Sequence, residues 1–347
     1  MKTLGRWIKR TLTAVALLVL ALLSPVAWTE VNCQGQPQDS PFVSTLGAPW
    51  HRPESRTLMT YPEWHIVHAY EDYAAVIAKG APQDYDFVPA IGQYWGSLCT
   101  LTKAAAAHGG ADGPTRQMVY VIGVSFTAEL LAKAAYEETI GRLFTLLRGP
   151  NRAPLDDLSA DQAARYAAFL SQVPWYKWDF PADKAALIAA NTGTLRDQER
   201  RFALGAEFTV KSYYAKAIGA AVAATGQDEL RMRVIVTGLA PDVLAASPDV
   251  QIIALHPQGI EVETPRYAAF TDLARAWAAQ GAQFVDIAGN DDILFTALSD
   301  QPLLPGALAS YPRQGHDDTR HLVLVKVADL AKALTDPALQ IEHIHDY

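Results

Sequence analysis

The stretch AELLAKAAYEETIG at residues 128–141 returns as AEFTVKSYYAKAIG at 206–219. Both copies read A-E-x-x-x-K-x-x-Y-x-x-x-I-G. Glu129, Lys133, Tyr136 and Ile140 are spaced four, three and four apart, as are Glu207, Lys211, Tyr214 and Ile218, so each set predicts one stripe of an α-helix. Glutamate four residues before lysine is the favourable order for an intrahelical ion pair, worth about 0.2–0.5 kcal/mol on a surface. The surroundings are apolar: VYVIGVSF precedes the first copy and FALG the second. Such helices are expected to be buried, and a buried charge has to be paired or change its protonation state. Two readings follow. Glu129 and Glu207 could meet at the centre of a helical bundle and hold a divalent or transition metal, as in di-iron bundles. Alternatively Glu129–Lys133 and Glu207–Lys211 are structural ion pairs that fix helix register, with Gly141 and Gly219 allowing close approach. No Glu-x-x-His motif lies on these helices, and a lysine beside each glutamate already neutralises it. The structural reading is favoured.

Outward from the repeat, the punctuation predicts the remaining helices. Thr60 and Glu63 match a capping box, and the helix they open runs to about Lys79, stopped by Gly80. A second fits Asp86–His108, closed by two glycines, and a long third fits Thr115–Arg148. Shorter ones fit 159–172 and 182–190. Thr194 and Asp197 can cap a last long helix to about Thr225. Residues 57–226 therefore predict a bundle of about four main helices that contains the internal repeat. After Gly226 the texture changes to short runs rich in β-branched residues: RMRVIVTGL, VQIIALHP, AQFVDIAG, ILFTALS, HLVLVKV and IEHIHDY. Helical stretches at about 266–280 and 328–335 separate them. The expectation for 227–347 is a small α/β sandwich of split βαβ, ferredoxin-like type, and for the whole chain an α+β class.

The amino terminus carries Lys2, Arg6, Lys9 and Arg10 before an uncharged run of 18 residues, Thr11–Trp28. At about 1.5 Å per residue this is the lower end of what spans a bilayer. Pro25-Val26-Ala27 is a poor cleavage site and Trp28 suits the interface, so residues 1–29 favour a retained anchor over a cleaved signal. The basic cluster places the amino terminus in the cytoplasm and the body outside it. Residues 30–56 read as a linker. The first 29 residues hold four of the 29 lysines and arginines and none of the 37 acids, so the body carries 25 − 37 = −12. That excludes nucleic acid as a natural partner. Cys33 and Cys99 are the two cysteines; in an oxidising compartment they could form a disulfide, or they could pack as two small hydrophobes.

His65 and His68 in YPEWHIVHAYEDY, with Glu71 or Asp72 near, are the best hint of metal ligation, although they match no zinc-protease pattern. With Glu129 and Glu207 they make a candidate metal set of His65, His68, Glu129 and Glu207. The simpler reading packs one histidine against an aromatic ring and solvates the other. His316, Asp317, Asp318 and His321 read as a solvated loop. His343 and His345 share one face of the last strand, where they could chelate a metal; a surface strand end explains them equally well. PWYKWDF at 174–180 suits an interface or the closed end of a bundle. No dinucleotide fingerprint, P-loop, nucleophile elbow or C-x-x-C is present.

YPEWHIV at 61–67, SFTAELLAKAAYEETIGR at 125–142 and FVDIAGND at 284–291 resemble a group of bacterial single-pass envelope proteins without an assigned activity. The resemblance covers most of the chain and implies location only. The sequence thus predicts a single-pass protein of a bacterial inner membrane, held in the bilayer through residues 11–28. Its periplasmic body is expected to bind an envelope partner or a ligand. The alternative is a metal-dependent enzyme with its site inside the bundle.

Overall fold

In the computed structural model, which describes residues 2–38, 42–225 and 230–346, the first helix, α1, runs Lys2–Asn32 and passes Pro25 without ending. Its 27 residues Arg6–Asn32 are long and apolar enough to cross a membrane. The segment that follows is not the linker its composition suggested. Cys33 is disulfide-bonded to Cys99, and Gly35 lies so close that a Cβ there would strike the Lys103 carbonyl. The Gln38 amide donates to Ala107 O. Farther on, Ser44 Oγ donates to Asp286 Oδ2 at 2.6 Å, and the Arg52 amide donates to Ala288 O at 2.7 Å. The described residues of the segment are thus tied at one end to α4 and at the other to the β4–β5 region, although many of their side chains remain exposed.

A short helix, α2 (Glu54–Leu58), precedes α3 (Tyr61–Lys79). Because the chain enters α3 from a helical turn, Thr60 is already helical and its hydroxyl donates back to Thr57 O at 2.8 Å instead of capping. Then follow α4 (Phe87–Ala106), α5 (Gly113–Tyr136), a π-turn over Glu137–Gly141, α6 (Arg142–Arg148), α7 (Pro154–Leu170), α8 (Phe180–Ala190) and α9 (Leu195–Thr225). Gly149, at φ +76°, ends α6, and Thr194 Oγ1 accepts from the Asp197 amide at the start of α9.

The carboxy-terminal half contains β1 (Arg231–Thr237), α10 (Pro241–Ala245), β2 (Gln251–His256), β3 (Gly259–Pro265), α11 (Ala268–Ala279) and β4 (Gln283–Ile287). It continues with β5 (Asp292–Ser299), β6 (Ala309–Pro312), β7 (Thr319–Lys326), α12 (Leu330–Leu334) and β8 (Gln340–His345). Two four-stranded antiparallel sheets result, ordered β2-β3-β1-β4 and β6-β7-β5-β8. In each, the third strand sits between first and second, and the fourth pairs with the first. The single split βαβ unit expected from the sequence therefore occurs twice. β3 went unpredicted because Glu261 and Glu263 interrupt its apolar pattern; both are paired across the strand, Glu261 with Arg233 at 2.7 Å and Glu263 with Arg231 at 3.1 Å.

β5 joins the two halves. Ile293, Phe295 and Ala297 enter the core shared by both sheets with Phe270, Trp277 and Leu330. Leu294, on the other face, joins Leu322 in the bundle core with Tyr94, Trp95 and Leu98. Alternation along one strand thus feeds two cores, and each fully buried Leu, Ile or Phe among them contributes roughly 1.5–3 kcal/mol.

Candidate functional site

The repeated glutamates and lysines meet both within and between their helices: the expected pair Glu207–Lys211 forms inside α9, while Glu129 and Lys133 each make their closer contact with the other helix. Lys211 Nζ lies 2.8 Å from Glu129 Oε1 and 3.0 Å from Glu207 Oε1. Lys133 Nζ lies 3.0 Å from Glu207 Oε1 but 4.0 Å from Glu129 of its own helix. Tyr70 of α3 completes the group: its hydroxyl donates to Glu129 Oε1 at 2.5 Å and accepts from Lys211 Nζ at 2.8 Å. The expected pair within α9 is thus kept, and the cross-helix contacts of Lys211 and Lys133 extend it into a four-charge cluster that ties α5 to α9 through long side chains. Aromatic rings cage the ammonium groups, Tyr70 at 4.8 Å and Tyr166 at 5.4 Å from Lys211, and Tyr73 at 4.8 Å from Lys133. Such contacts are favourable by electrostatic attraction to the ring face.

Burial would raise the Glu207 carboxyl, but Lys133 and Lys211 outweigh it and hold the group at about 2. Glu129 is also lowered, against its burial, by Lys211 and Lys133. Burial and then Glu129 keep the Tyr70 phenol protonated well above its ordinary range. Two anions and two cations so arranged are mutually neutral, which leaves no charge for a metal to balance. A cavity of about 40 Å³ beside them, lined by Tyr166, Trp178, Phe180 and Lys211 among others, has room for water rather than a substrate.

A turn farther along, the first copy departs from its pattern. The π-turn at Glu137–Gly141 carries Glu137 inward, and a Cβ at Gly141 would collide with its carboxylate. Arg200 of α9 grips Glu137 with two bonds of 2.9 and 3.0 Å and Glu199 with bonds of 2.5 and 2.9 Å. Arg196 links Glu199 to Asp156 of α7, at 2.8 Å each, and Tyr136 donates to Glu199 at 2.7 Å. Gly219, by contrast, has only Tyr176 near its missing Cβ, at 3.8 Å, so no close helix approach depends on it.

The candidate metal set His65, His68, Glu129 and Glu207 is not assembled. His65 lies among Tyr94 and Phe126, with Nε2 3.2 Å from Ala90 O. His68 turns to the second sheet, with Nδ1 3.1 Å from Glu71 and Nε2 3.5 Å from Glu342. Both glutamates of the set are taken by lysines instead, and among the described residues the four do not appear as one ligand group. The groups that do approach are His68–Glu71–Glu342 and Glu54–His108–Asp292. Each already has an internal use. Arg320 chelates Glu342 at 2.6 and 2.7 Å and reaches Glu71 at 3.4 Å. Glu54 accepts from the Asp291 and Asp292 amides, and Lys326 bridges both aspartates. The His68–Glu71 spacing is local, but neither full group could have been disclosed that way, since Glu342 lies 342 − 71 = 271 residues beyond Glu71 and His108 lies 108 − 54 = 54 residues beyond Glu54.

His343 and His345 are not a surface strand end. Both are buried against α3, His343 stacked on Trp64 at 3.5 Å and His345 edge-on to Tyr61 at 5.4 Å. His321 is not in a solvated loop but on β7, buried, 2.8 Å from both Ser299 Oγ and Ser310 Oγ. PWYKWDF closes the bundle, with Phe180 buried and Trp178 donating to Asp183 at 2.7 Å. Comparison with protein families, with characterised proteins and with solved structures finds no match.

The geometry makes the central cluster a latch. Tyr70→Phe removes the hydroxyl that bridges Lys211 and Glu129, and is expected to cost about 1.5–3 kcal/mol, the range for a hydrogen bond to a charged group. The denaturant midpoint reads this, and an unchanged midpoint would show that the latch contributes nothing.

Proposed function

We propose that the chain is a single-pass protein of a bacterial inner membrane, amino terminus in the cytoplasm and body outside, whose body binds an extended segment of a partner protein along β2. One observation carries the binding site. β2 is the outer strand of the first sheet, and its side chains face water: Leu255 is 72 % exposed, beside the exposed Ile252 and Ile253. A free edge offers a row of backbone donors and acceptors that only another extended strand can pair continuously, and apolar side chains along it supply contact area. A binding role is further supported by the latch, whose charged groups are satisfied by one another. The basic residues before the apolar run support the orientation.

The test places a photo-crosslinking residue at Leu255 in the full chain in living cells. The expected result is an adduct with a distinct partner protein, lost on Ile253→Lys, together with slowed amide exchange across Gln251–His256 in the complex. Adducts with lipid only, or with second copies of this chain, would contradict it. A periplasm-active reporter fused to the carboxyl terminus should be active; silence would reverse the orientation.

A further inference from the structure

The helical half is built inside out on one side. The charges that form the latch and the Arg200 cluster point inward, while the outer sides of α5, α6 and α9 carry large apolar residues in water beside the exposed Arg116, Glu138, Arg142, Arg201 and Lys216. On α5 and α6 these include Val121, Leu131 and Leu146, the last 73 % exposed. On α9 they include Phe202, Val210 and Tyr213, each about 70 % exposed. The first two and the third follow helical spacings of eight and three residues, so they form one stripe. The two helices are neighbours, joined by Lys133–Glu207 and Arg200–Glu137. By contrast α7 presents Asp157, Asp161 and Arg165 to solvent. Large apolar residues gathered in water on neighbouring helices in this way mark an interaction site.

The anchor indicates what covers it. α1 ends against the bundle with no spacer: Glu30 accepts from Tyr120 at 2.8 Å and approaches Arg116 at 3.5 Å, Val26 packs on the bundle core, and the Cys33–Cys99 bond fixes the next residue to α4. The contact is with the first turns of α5, just before the exposed Val121, so the apolar residues of that helix begin where α1 ends. We propose that the outer face of α5, α6 and α9 is seated in the boundary layer of the same bilayer that α1 crosses, lying in its plane. Gly113–Arg148 is also long and apolar enough to span, but its inward side holds Glu129, Lys133 and Glu137 against helices whose own outer surface is charged. Only one side can therefore be lipid-facing, which is the geometry of an interfacial helix, submerged by about 5–10 Å. The net charge of −12 outside the anchor makes apolar burial, not attraction to anionic lipid, the driving force.

The proposal rests on α1 spanning the membrane, and the experiment separates the two. Full-length protein with its native disulfide is placed in nanodiscs of neutral lipid. A fluorophore is attached through Leu17→Cys, Leu146→Cys, Phe202→Cys, Val210→Cys or, as the solvent-facing control, Asp161→Cys. Lipids brominated in the acyl chain then quench whatever they touch. Quenching at 146, 202 and 210 should approach that at 17 and exceed that at 161 by about threefold or more, as for side chains at the acyl boundary. Quenching at 17 alone overturns the proposal and leaves the anchor intact; no quenching at 17 overturns the spanning of α1 itself. Disulfide crosslinks between copies through Val210→Cys would show that the face is an interface of this chain with itself, which also overturns the proposal. The unmodified protein gives an independent readout. Lipids bearing a photoreactive acyl chain should mark 113–148 and 195–220 as well as 6–28, and marking confined to 6–28 sinks the idea.

Discussion

Replacing Arg200 with methionine is expected to lower the stability of the folded body by about 3–5 kcal/mol, the cost of stranding buried charge. Arg200 is fully enclosed, and its guanidinium is the shared partner of Glu137 and Glu199. Burial alone would lower its pKa, but those two carboxylates hold it above the ordinary arginine range. Without the arginine, Glu137 loses the guanidinium that pairs with it, whereas Glu199 keeps Arg196 and the Tyr136 hydroxyl. The penalty therefore falls mainly on Glu137. Combining Arg200→Met with Glu137→Gln should return a substantial part of the loss, because the stranded anion is gone. Urea unfolding followed by tryptophan fluorescence in detergent reads both variants. A loss below about 1 kcal/mol for Arg200→Met would place the cluster in the range of an exposed pair, against the burial seen here.

Acid should destabilise the junction between α3 and β8 well before it protonates ordinary carboxylates. Burial, with the neighbouring His345 and His68 rings disfavouring a further charge, drives His343 well below its ordinary value, and burial pushes His65 and His345 down to about 3. In the unfolded chain all three titrate near 6.5. Their folded values are depressed, so the stability they permit is present above about pH 6.5 and is lost as pH falls from there toward 3, by about 1.4 kcal/mol per unit for each histidine. Asp346 works the other way. Burial raises it to about 6, so its contribution grows as pH falls from there to about 3.8 and offsets roughly one histidine. Glu342 and Glu207, both held at about 2, add to the loss below about pH 4.5. The other groups facing the histidines are His68, Glu71 and Asp72 from α3 and Arg320 from β7. His343→Phe, which keeps the ring against Trp64, should flatten the stability–pH slope between 6 and 4.5 by about one proton. An unchanged slope would mean that His343 is charged in the folded state.

Much of the helical half was legible because its signals are local. Gly80 and Gly149 end helices, Thr194 starts one, and the 3.6-residue period marks the sides. The meeting of Lys133 with Glu207 was not legible, since periodicity shows who shares a helix and not who faces it from another. The π-turn was hidden for a related reason: Glu137 and Gly141 are ordinary helix residues until Arg200 arrives from 63 positions away. In the sheet half, polar residues misled. Glu261 and Glu263 hid β3, and His343 and His345 looked solvated, because cross-strand arginines and the Trp64 ring are tertiary partners. Residues 33–53 failed in the same way: their composition is that of a linker, but Ser44 and Arg52 are held by the β4–β5 region. Two cysteines 66 positions apart left bridge and no bridge equally open until α1 was seen to end against α4.

Thiol trapping tests most directly the proposal of a body outside the cytoplasm that is clamped to its own anchor. Cells are acid-quenched and denatured to expose Cys33 and Cys99, then alkylated with and without prior reduction. The result predicted is no labelling without reductant and two labels after it. Labelling of both cysteines without reductant would mean that the clamp is absent and that the body does not occupy an oxidising compartment.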